Sequence, residues 1–376
     1  MKLIYCIHST SNSGGMERVL SNKVNYFSNL PGYEVYIITT GQRERPHFYD
    51  ISPKVKCIDL KINYSETITG NPISRLFKSY IKYFHHKKRL KKVLFDLKAD
   101  IVVSMFTNDV NFLYEIKDGS KKVLEIHFSR EFRLLANRKG ITRLLDLYMT
   151  NCNDKIVAKY DRFVVLTLED KHSWKNQKNI SVIYNSVTDS NNNATSLLDN
   201  KKVLAIGRLT YQKNLELLIE LWEQISKKYP EWCLTIVGTG DSKELIEKID
   251  KMKLNDVIKL VPSTSKISDY YIDSSLYLMT SRFEGLPMVL LEAQNYGLPI
   301  VSFDCKCGPK EVITDGQDGY LIQMGDKEDF IAKTTDLIEN ISLRKEFGRI
   351  AKENSKRFSE EIIMKQWISL FEELVK

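Results

Sequence analysis

The residues best suited to chemistry cluster in Ser281-Arg-Phe-Glu-Gly-Leu-Pro-Met-Val-Leu-Leu-Glu292, where two carboxylates, Glu284 and Glu292, bracket a glycine and a proline. Pro287 suits the first position of a helix, because it has no amide to leave unpaired and its φ is already helical. Gly297 suits the end of that helix. Ser275 to Met279 reads as a buried strand, so residues 283–286 form a strand-to-helix loop at the carboxyl edge of a sheet, where open α/β sheets bind ligands. The helix start at Pro287 and Met288 offers free amides and a positive dipole end, which suit a phosphate, and Gly285 lets a ligand come close. Glu284 and Glu292 could then hold hydroxyls at the two ends of one extended ligand. The plainer alternative is a buried helix with two solvated carboxylates.

Two cations, Arg208 and Lys213, share the loop between a predicted strand, Lys202 to Ile206, and a predicted helix, Leu215 to Lys228. Arginine supplies a planar fork and lysine a point charge, and both could reach one diphosphate. An exposed basic loop is the alternative. The turn Gly238-Thr-Gly240 would let a backbone approach a nucleotide. Near the start, a strand (Lys2 to Ile7), a loop ending in Gly14-Gly15 and a helix (Met16 to Leu30) make a phosphate-cradling arrangement without the dinucleotide spacing GxGxxG. His127 ends a predicted strand, Val123 to His127, at the same sheet edge as Gly15. By chemistry alone a histidine so placed is more often structural, and His8 competes for any role.

Ser-x-x-Glu-Gly-x-Pro followed by Glu292 resembles the paired-glutamate motif of the retaining GT-B glycosyltransferases of family 4. Gly14-Gly15-Met-Glu-Arg, Tyr184-Asn185-Ser186-Val187 and the Arg208/Lys213 loop are similar to that family too. Residues 302–311 and the loop after 261 are similar to a bacterial subgroup that builds surface polysaccharides. The resemblance implies that Arg208 and Lys213 neutralise a donor diphosphate at the start of the Pro287 helix, beside Met288. It also implies that Glu292 binds ribose hydroxyls and that Glu284, with the amides of Gly285 and Leu286, orients the sugar. His127 would contact the sugar from the other domain, Gly14 and Gly15 would admit phosphate, and Gly240 would lie beside the nucleotide. Pro262-Ser-Thr-Ser stands where many members carry a glycine near the base, and Ser186 where a glycine is common.

A chain of 376 residues suits two cores. Further strands are expected at Glu34 to Thr39, Val55 to Leu60, Ile101 to Met105, Phe163 to Leu166, Ser181 to Tyr184, Leu234 to Val237 and Val257 to Val261, alternating with helices. This implies parallel, helix-covered sheets. The resemblance makes the fold α/β, GT-B: two Rossmann-like domains facing across a cleft. Expected boundaries are an acceptor-side domain at 1–188, a polar linker at 189–200, a nucleotide-sugar domain at 201–357, and a C-terminal helix at 358–376 crossing back to the first domain through Trp367, Leu370, Phe371 and Leu374.

The net charge of +8 is matched by one window, 75–92, which holds eight Lys and Arg and no acid. Its apolar residues recur at helical spacing, so it reads either as a basic amphipathic helix for an anionic membrane surface or as a surface helix whose stripe packs on the sheet, with His85 and His86 on its basic face. No nucleic-acid module is present. The six cysteines are scattered and read as free thiols of a cytoplasmic protein. Cys305-Lys-Cys307 lacks the spacing of a zinc site. No apolar run approaches the ~20 residues of a bilayer span, and the start carries no signal-peptide pattern. A place in the cytoplasm, on the inner face of the cell membrane, is expected.

The resulting expectation is a retaining transferase that moves a sugar from a nucleoside diphosphate donor, a UDP-hexose or UDP-N-acetylhexosamine, to a hydroxyl of a glycan acceptor, lipid-linked in the membrane. No cofactor and no metal are expected, since two cations and a helix dipole meet the diphosphate. The alternatives from other classes are a non-catalytic GT-B subunit of a glycosylation complex and a nucleotide-sugar epimerase of the same plan.

Overall fold

The computed structural model describes residues 1–67, 71–136, 138–174, 177–188 and 194–376, so residues 189–193 of the expected linker lie outside the described residues. The first half runs β1 (Lys2–Ile7), α1 (Gly15–Asn29), β2 (Glu34–Thr39), β3 (Lys56–Asp59), α2 (Pro72–Leu97), β4 (Ile101–Ser104) and β5 (Lys121–Glu125). It continues with α3 (Phe132–Leu135), α4 (Ile141–Val157), β6 (Arg162–Val165), α5 (Leu168–Ser173) and β7 (Ile180–Val182). The second half runs β8 (Lys202–Ile206), α6 (Leu215–Lys228), β9 (Cys233–Gly238), α7 (Lys243–Lys251), β10 (Ile258–Pro262), α8 (Ile267–Ile272), β11 (Leu276–Met279) and α9 (Met288–Asn295). It ends with β12 (Ile300–Phe303), α10 (Pro309–Val312), β13 (Gly319–Ile322), α11 (Lys327–Glu339), α12 (Ile341–Ser355) and α13 (Glu360–Val375).

Two parallel sheets result, ordered β3-β2-β1-β4-β5-β6-β7 and β10-β9-β8-β11-β12-β13. Their central strands are continuous apolar runs, such as Leu3-Ile4-Tyr5 and Leu276-Tyr277-Leu278, because helices cover both faces. In each sheet the strand order reverses once, between β1 and β4 and between β8 and β11. The loops leaving the carboxyl ends beside those reversals splay apart and leave a crevice. Gly14 ends one such loop with Gly15 opening the helix after it, and Arg208, Lys213 and Glu284 lie in two others. The two-sheet α/β architecture is therefore the expected one.

α13 packs on the first sheet. Ile363, Met364, Trp367 and Phe371 are fully buried in a cluster with Leu3, Tyr5, Leu20, Val24 and Phe27, and the Phe27 and Phe371 rings lie 5.6 Å apart. The chain returns where Ser359 bridges Val187, so both crossings between the halves sit side by side.

Four expectations need correction. Pro287 is the cap residue before α9, with ψ 106°, and the helix proper begins at Met288. Pro287 still lacks an amide, and its ψ is extended, not helical. His127 stands two residues beyond β5, which ends at Glu125. In α2 only the second half follows the predicted stripe: Leu90 and Leu94 are buried, whereas Leu76, Phe77, Tyr80 and Phe84 are exposed. The helix is 26 residues long, ~39 Å, and outruns strands of three to six residues. His86 belongs to the buried side, bonded to Tyr64 Oη at 3.1 Å and packed edge-on against Phe112; burial lowers its pKa to about 4. Among the described residues no helix is long and apolar enough to cross a membrane.

Candidate active site

In the second half the site is built by zipping three loops together. The Arg282 amide donates to the Gln212 carbonyl at 2.8 Å, and the Glu284 amide donates to the Lys306 carbonyl at 3.0 Å. The loop after β11 is thereby held between the loops after β8 and β12. Glu284 is buried, and both its oxygens are engaged: Lys213 Nζ lies 2.7 Å from Oε1 and Gln212 Nε2 lies 3.3 Å from Oε2. Gln212 also donates to the Phe283 carbonyl at 2.9 Å, so one side chain spans the two loops. Arg208 is exposed, its guanidinium donating to Gln212 Oε1 at 3.4 Å.

Gly308, at φ +102°, allows the next turn to press on α9: a Cβ there would lie 2.4 Å from Pro287 Cδ and 2.9 Å from the Gly285 carbonyl. One turn into α9, Glu292 is half-buried and accepts from Tyr271 Oη at 2.8 Å. Burial raises its pKa, against the opposing charge of Arg18 and the Tyr271 hydroxyl. Arg18, Asn22, Ser268, Tyr271, Met288 and Glu292 line a narrow polar cavity between the halves.

On the facing side, Gly15 stands opposite the α9 start, where an added Cβ would lie 3.7 Å from Met288 Cγ. Gly14 is packed by its own helix: a Cβ there would lie 2.3 Å from Glu17 Oε2. Burial raises the Glu17 pKa, while Asn12 and the nearby His127 and Arg208 lower it. His127 meets the second half through its backbone, since a Cβ on Gly285 would come within 2.7 Å of the His127 carbonyl oxygen. Its Nε2 lies 3.2 Å from Glu125 Oε1, but both ring nitrogens lack a hydrogen-bond partner among the described residues. Beneath it, Lys23 Nζ binds the same Glu125 oxygen and sits 3.7 Å from the centre of the Trp367 ring of α13. Burial alone would raise the Glu125 carboxyl, but the charges of Lys23 and His127 outweigh it and hold the group at about 2.

The halves are thus in contact across the crevice, with Lys306 and Glu131 paired at 2.9 Å and Tyr184 Oη on Glu311 at 2.9 Å. The structure brings Lys213, Glu284, Gly285 and His127 to one wall, and Gly15, Pro287, Met288 and Glu292 to the adjoining one. Leu286 is buried in the second-half core, so only its backbone can serve a ligand. Gly240, at φ +135°, packs on the Leu209 backbone, where a Cβ would lie 3.0 to 3.3 Å from Leu209 atoms; its visible task is to seat the Arg208 loop.

Sequence reasoning assigned no role to Gln212, Glu17, Arg18, Lys23 or Glu125. Arg18 and Glu17 stand in the Gly14-Gly15-Met-Glu-Arg motif itself, and that position was the available signal. Lys23 was legible as a lysine on the apolar face of α1, between Leu20 and Val24.

The profile of the family described as glycosyl transferases group 1 matches residues 188–354. The chain is 34% identical over 378 residues to the amylovoran biosynthesis glycosyltransferase AmsD of Erwinia amylovora, covering 97% of this chain and 98% of the relative. It is 26% identical over 386 residues to a Campylobacter jejuni α-1,4-N-acetylgalactosaminyltransferase whose name gives a diphospho-undecaprenol-linked glycan, covering 100% and 99%. Among solved structures, S. aureus TarM in complex with UDP superposes with a TM-score of 0.77 at 19% identity, over 98% of this chain and 99% of that one. With two parallel sheets enclosing a crevice and a near full-length relative, this chain belongs to the glycosyl transferases of group 1, built on the GT-B fold.

Proposed function

We propose that this glycosyltransferase is a retaining, family 4 enzyme that transfers a hexose or N-acetylhexosamine from a uridine diphosphate sugar to a hydroxyl of a lipid-linked glycan in surface polysaccharide synthesis. The observation that carries the reading is Lys213 held 2.7 Å from Glu284 at the crevice wall that His127 also joins. A cation fixed there, with the exposed Arg208 in the same loop and the α9 start alongside, can neutralise a departing diphosphate where charge develops. Similarity to a polysaccharide-synthesis transferase, and to proteins whose names include UDP and a diphospho-undecaprenol-linked glycan, supports the donor and the acceptor.

Glu284 is the orienting carboxylate. With both oxygens tied to Lys213 and Gln212, it is poorly placed to act as a nucleophile, which favours attack from the face the diphosphate leaves, with a phosphate oxygen taking the acceptor proton. Glu292 binds ribose hydroxyls, giving up its Tyr271 contact in exchange. Gly14 and Gly15 admit phosphate, His127 meets the sugar, and closure of the halves excludes water that would hydrolyse the donor. No metal is required in this scheme. The acceptor domain is 1–188 and the donor domain 201–357. The chain works at the cytoplasmic membrane face, held in part by the basic residues 75–92.

The test is thermal stability against a panel of nucleoside diphosphate sugars, with and without a chelator, since a ligand bound to the folded state raises the midpoint by mass action. A selective, chelator-insensitive shift with one uridine sugar is expected. No shift with any donor would overturn the assignment.

A further inference from the structure

We infer that α4 is a second membrane-docking element, which seats the crevice mouth on an anionic bilayer independently of α2. The inference rests on the proposed lipid-linked acceptor and concerns a helix whose sequence alone did not single it out.

α4 is folded inside out. Its inward positions are Asp146, Thr150, Asn153 and Val157, spaced by four, three and four residues, so a largely polar stripe faces the protein. That stripe is satisfied internally: Arg138 pairs with Asp146 through two nitrogens, and Thr150 Oγ1 donates to the Asp146 carbonyl at 2.8 Å. The apolar side chains point outward instead, with Ile141 78%, Leu144 66%, Leu145 55% and Tyr148 65% exposed. Scattered exposed leucines are normal, but a whole helical face of them beside a saturated polar stripe marks a surface that something apolar covers.

Charge and topology select the bilayer. Of the five cations Arg130, Arg133, Arg138, Lys139 and Arg143, Arg130 and Arg138 are paired with Asp154 and Asp146, which leaves Arg133, Lys139 and Arg143 to border the apolar face, as on a helix lying in an anionic headgroup layer. α4 leads into the amino end of β6, so its exposed first half lies toward the carboxyl edge of the sheet, where His127 and Gly15 stand. The exposed half of α2, with Ile73, Leu76, Phe77 and Tyr80, precedes β4 in the same sense. The buried ends of both helices, Leu90 and Leu94 of α2 and Val157 of α4, join one core cluster, so both helices cover the same face of the sheet. One plane can therefore contact both exposed halves beside the crevice, where a membrane-borne acceptor would enter.

The experiment uses the full chain carrying Leu144→Trp, mixed with vesicles of phosphatidylglycerol and phosphatidylethanolamine or of phosphatidylcholine alone. The four native tryptophans are all buried, so a new exposed indole reports separately from them. The expected result is a blue-shifted emission quenched by brominated lipid on the anionic vesicles only. The triple variant Leu144→Ser/Leu145→Ser/Tyr148→Ser should partition about tenfold or more weakly, with transfer to a short soluble acceptor unchanged. Vesicle binding that the triple variant retains in full, with an unquenched indole, would overturn α4 docking while leaving the membrane reading to α2. No binding by the unmodified protein would remove both. Self-association in sedimentation equilibrium that the triple variant abolishes would assign the face to a second copy instead.

Discussion

Two of the Lys–Glu pairs close to the crevice differ in what their surroundings allow. Lys23 and Glu125 are fully buried under His127, with Trp367 packed over the ammonium. Lys213 and Glu284 keep 14% and 7% of their side-chain surfaces exposed, and Gln212 shares their contact. A sealed pair cannot exchange its partner for a ligand, so its charges only fix one another and the groups resting on them. A pair at a crevice wall can turn toward an incoming diphosphate without losing its partner. The same two residue types serve as a support in one half and as a counter-charge in the other, and the difference lies in solvent access.

The largest expected effect separates the two as support and counter-charge. Lys23→Met leaves Glu125 buried with only His127 beside it and should lower stability by about 3 kcal/mol, read by denaturant unfolding, with loss of activity following the loss of fold. Lys213→Met should leave a folded protein and lower kcat by about 10²–10³-fold in a steady-state transfer assay. A folded, fully active Lys213→Met, or a stable Lys23→Met, would erase the distinction.

The sealed pair also predicts a pH signature. The Glu125 pKa is held at about 2 in the fold, below its ordinary 4.5, so its contribution is complete above about 4.5 and is lost as pH falls toward 2. The stability gap between the unmodified chain and Glu125→Gln should therefore narrow over that acid range, in urea titrations at stepped pH. Glu292 behaves in the opposite sense, because burial raises its pKa and its ionised form costs stability above the ordinary carboxylate range. Glu292→Gln should then raise the thermal midpoint of the free protein near neutral pH while weakening donor binding about tenfold or more by calorimetry. The smallest effect belongs to the rim: Lys306→Ala breaks the partly exposed pair with Glu131 and should change stability by less than about 1 kcal/mol.

Much of this was readable from the sequence, for identifiable reasons. β1, β2, β8 and α6 fall at their expected bounds, because period, caps and turn residues agree there. The Glu284, Lys213 and Pro287 neighbourhood was legible because each residue type sits in a strand-to-helix loop. What escaped depends on tertiary packing. His86 looked like part of a basic run, yet its ring fills a gap against Phe112. Gln212 has no distinctive type or spacing, and only the folded loops show it joining Phe283 to Glu284. The inverted face of α4 escaped because a helical period gives an apolar stripe but not the side that faces inward.

The most direct measurement is calorimetric binding of uridine diphosphate to the unmodified chain, to Lys213→Met, and to Lys23→Met where enough of it remains folded. Counter-charge at the crevice predicts at least about tenfold weaker binding for Lys213→Met, and near-normal affinity per folded molecule for Lys23→Met. Unchanged affinity in Lys213→Met would place the diphosphate elsewhere and contradict the site described for this glycosyltransferase.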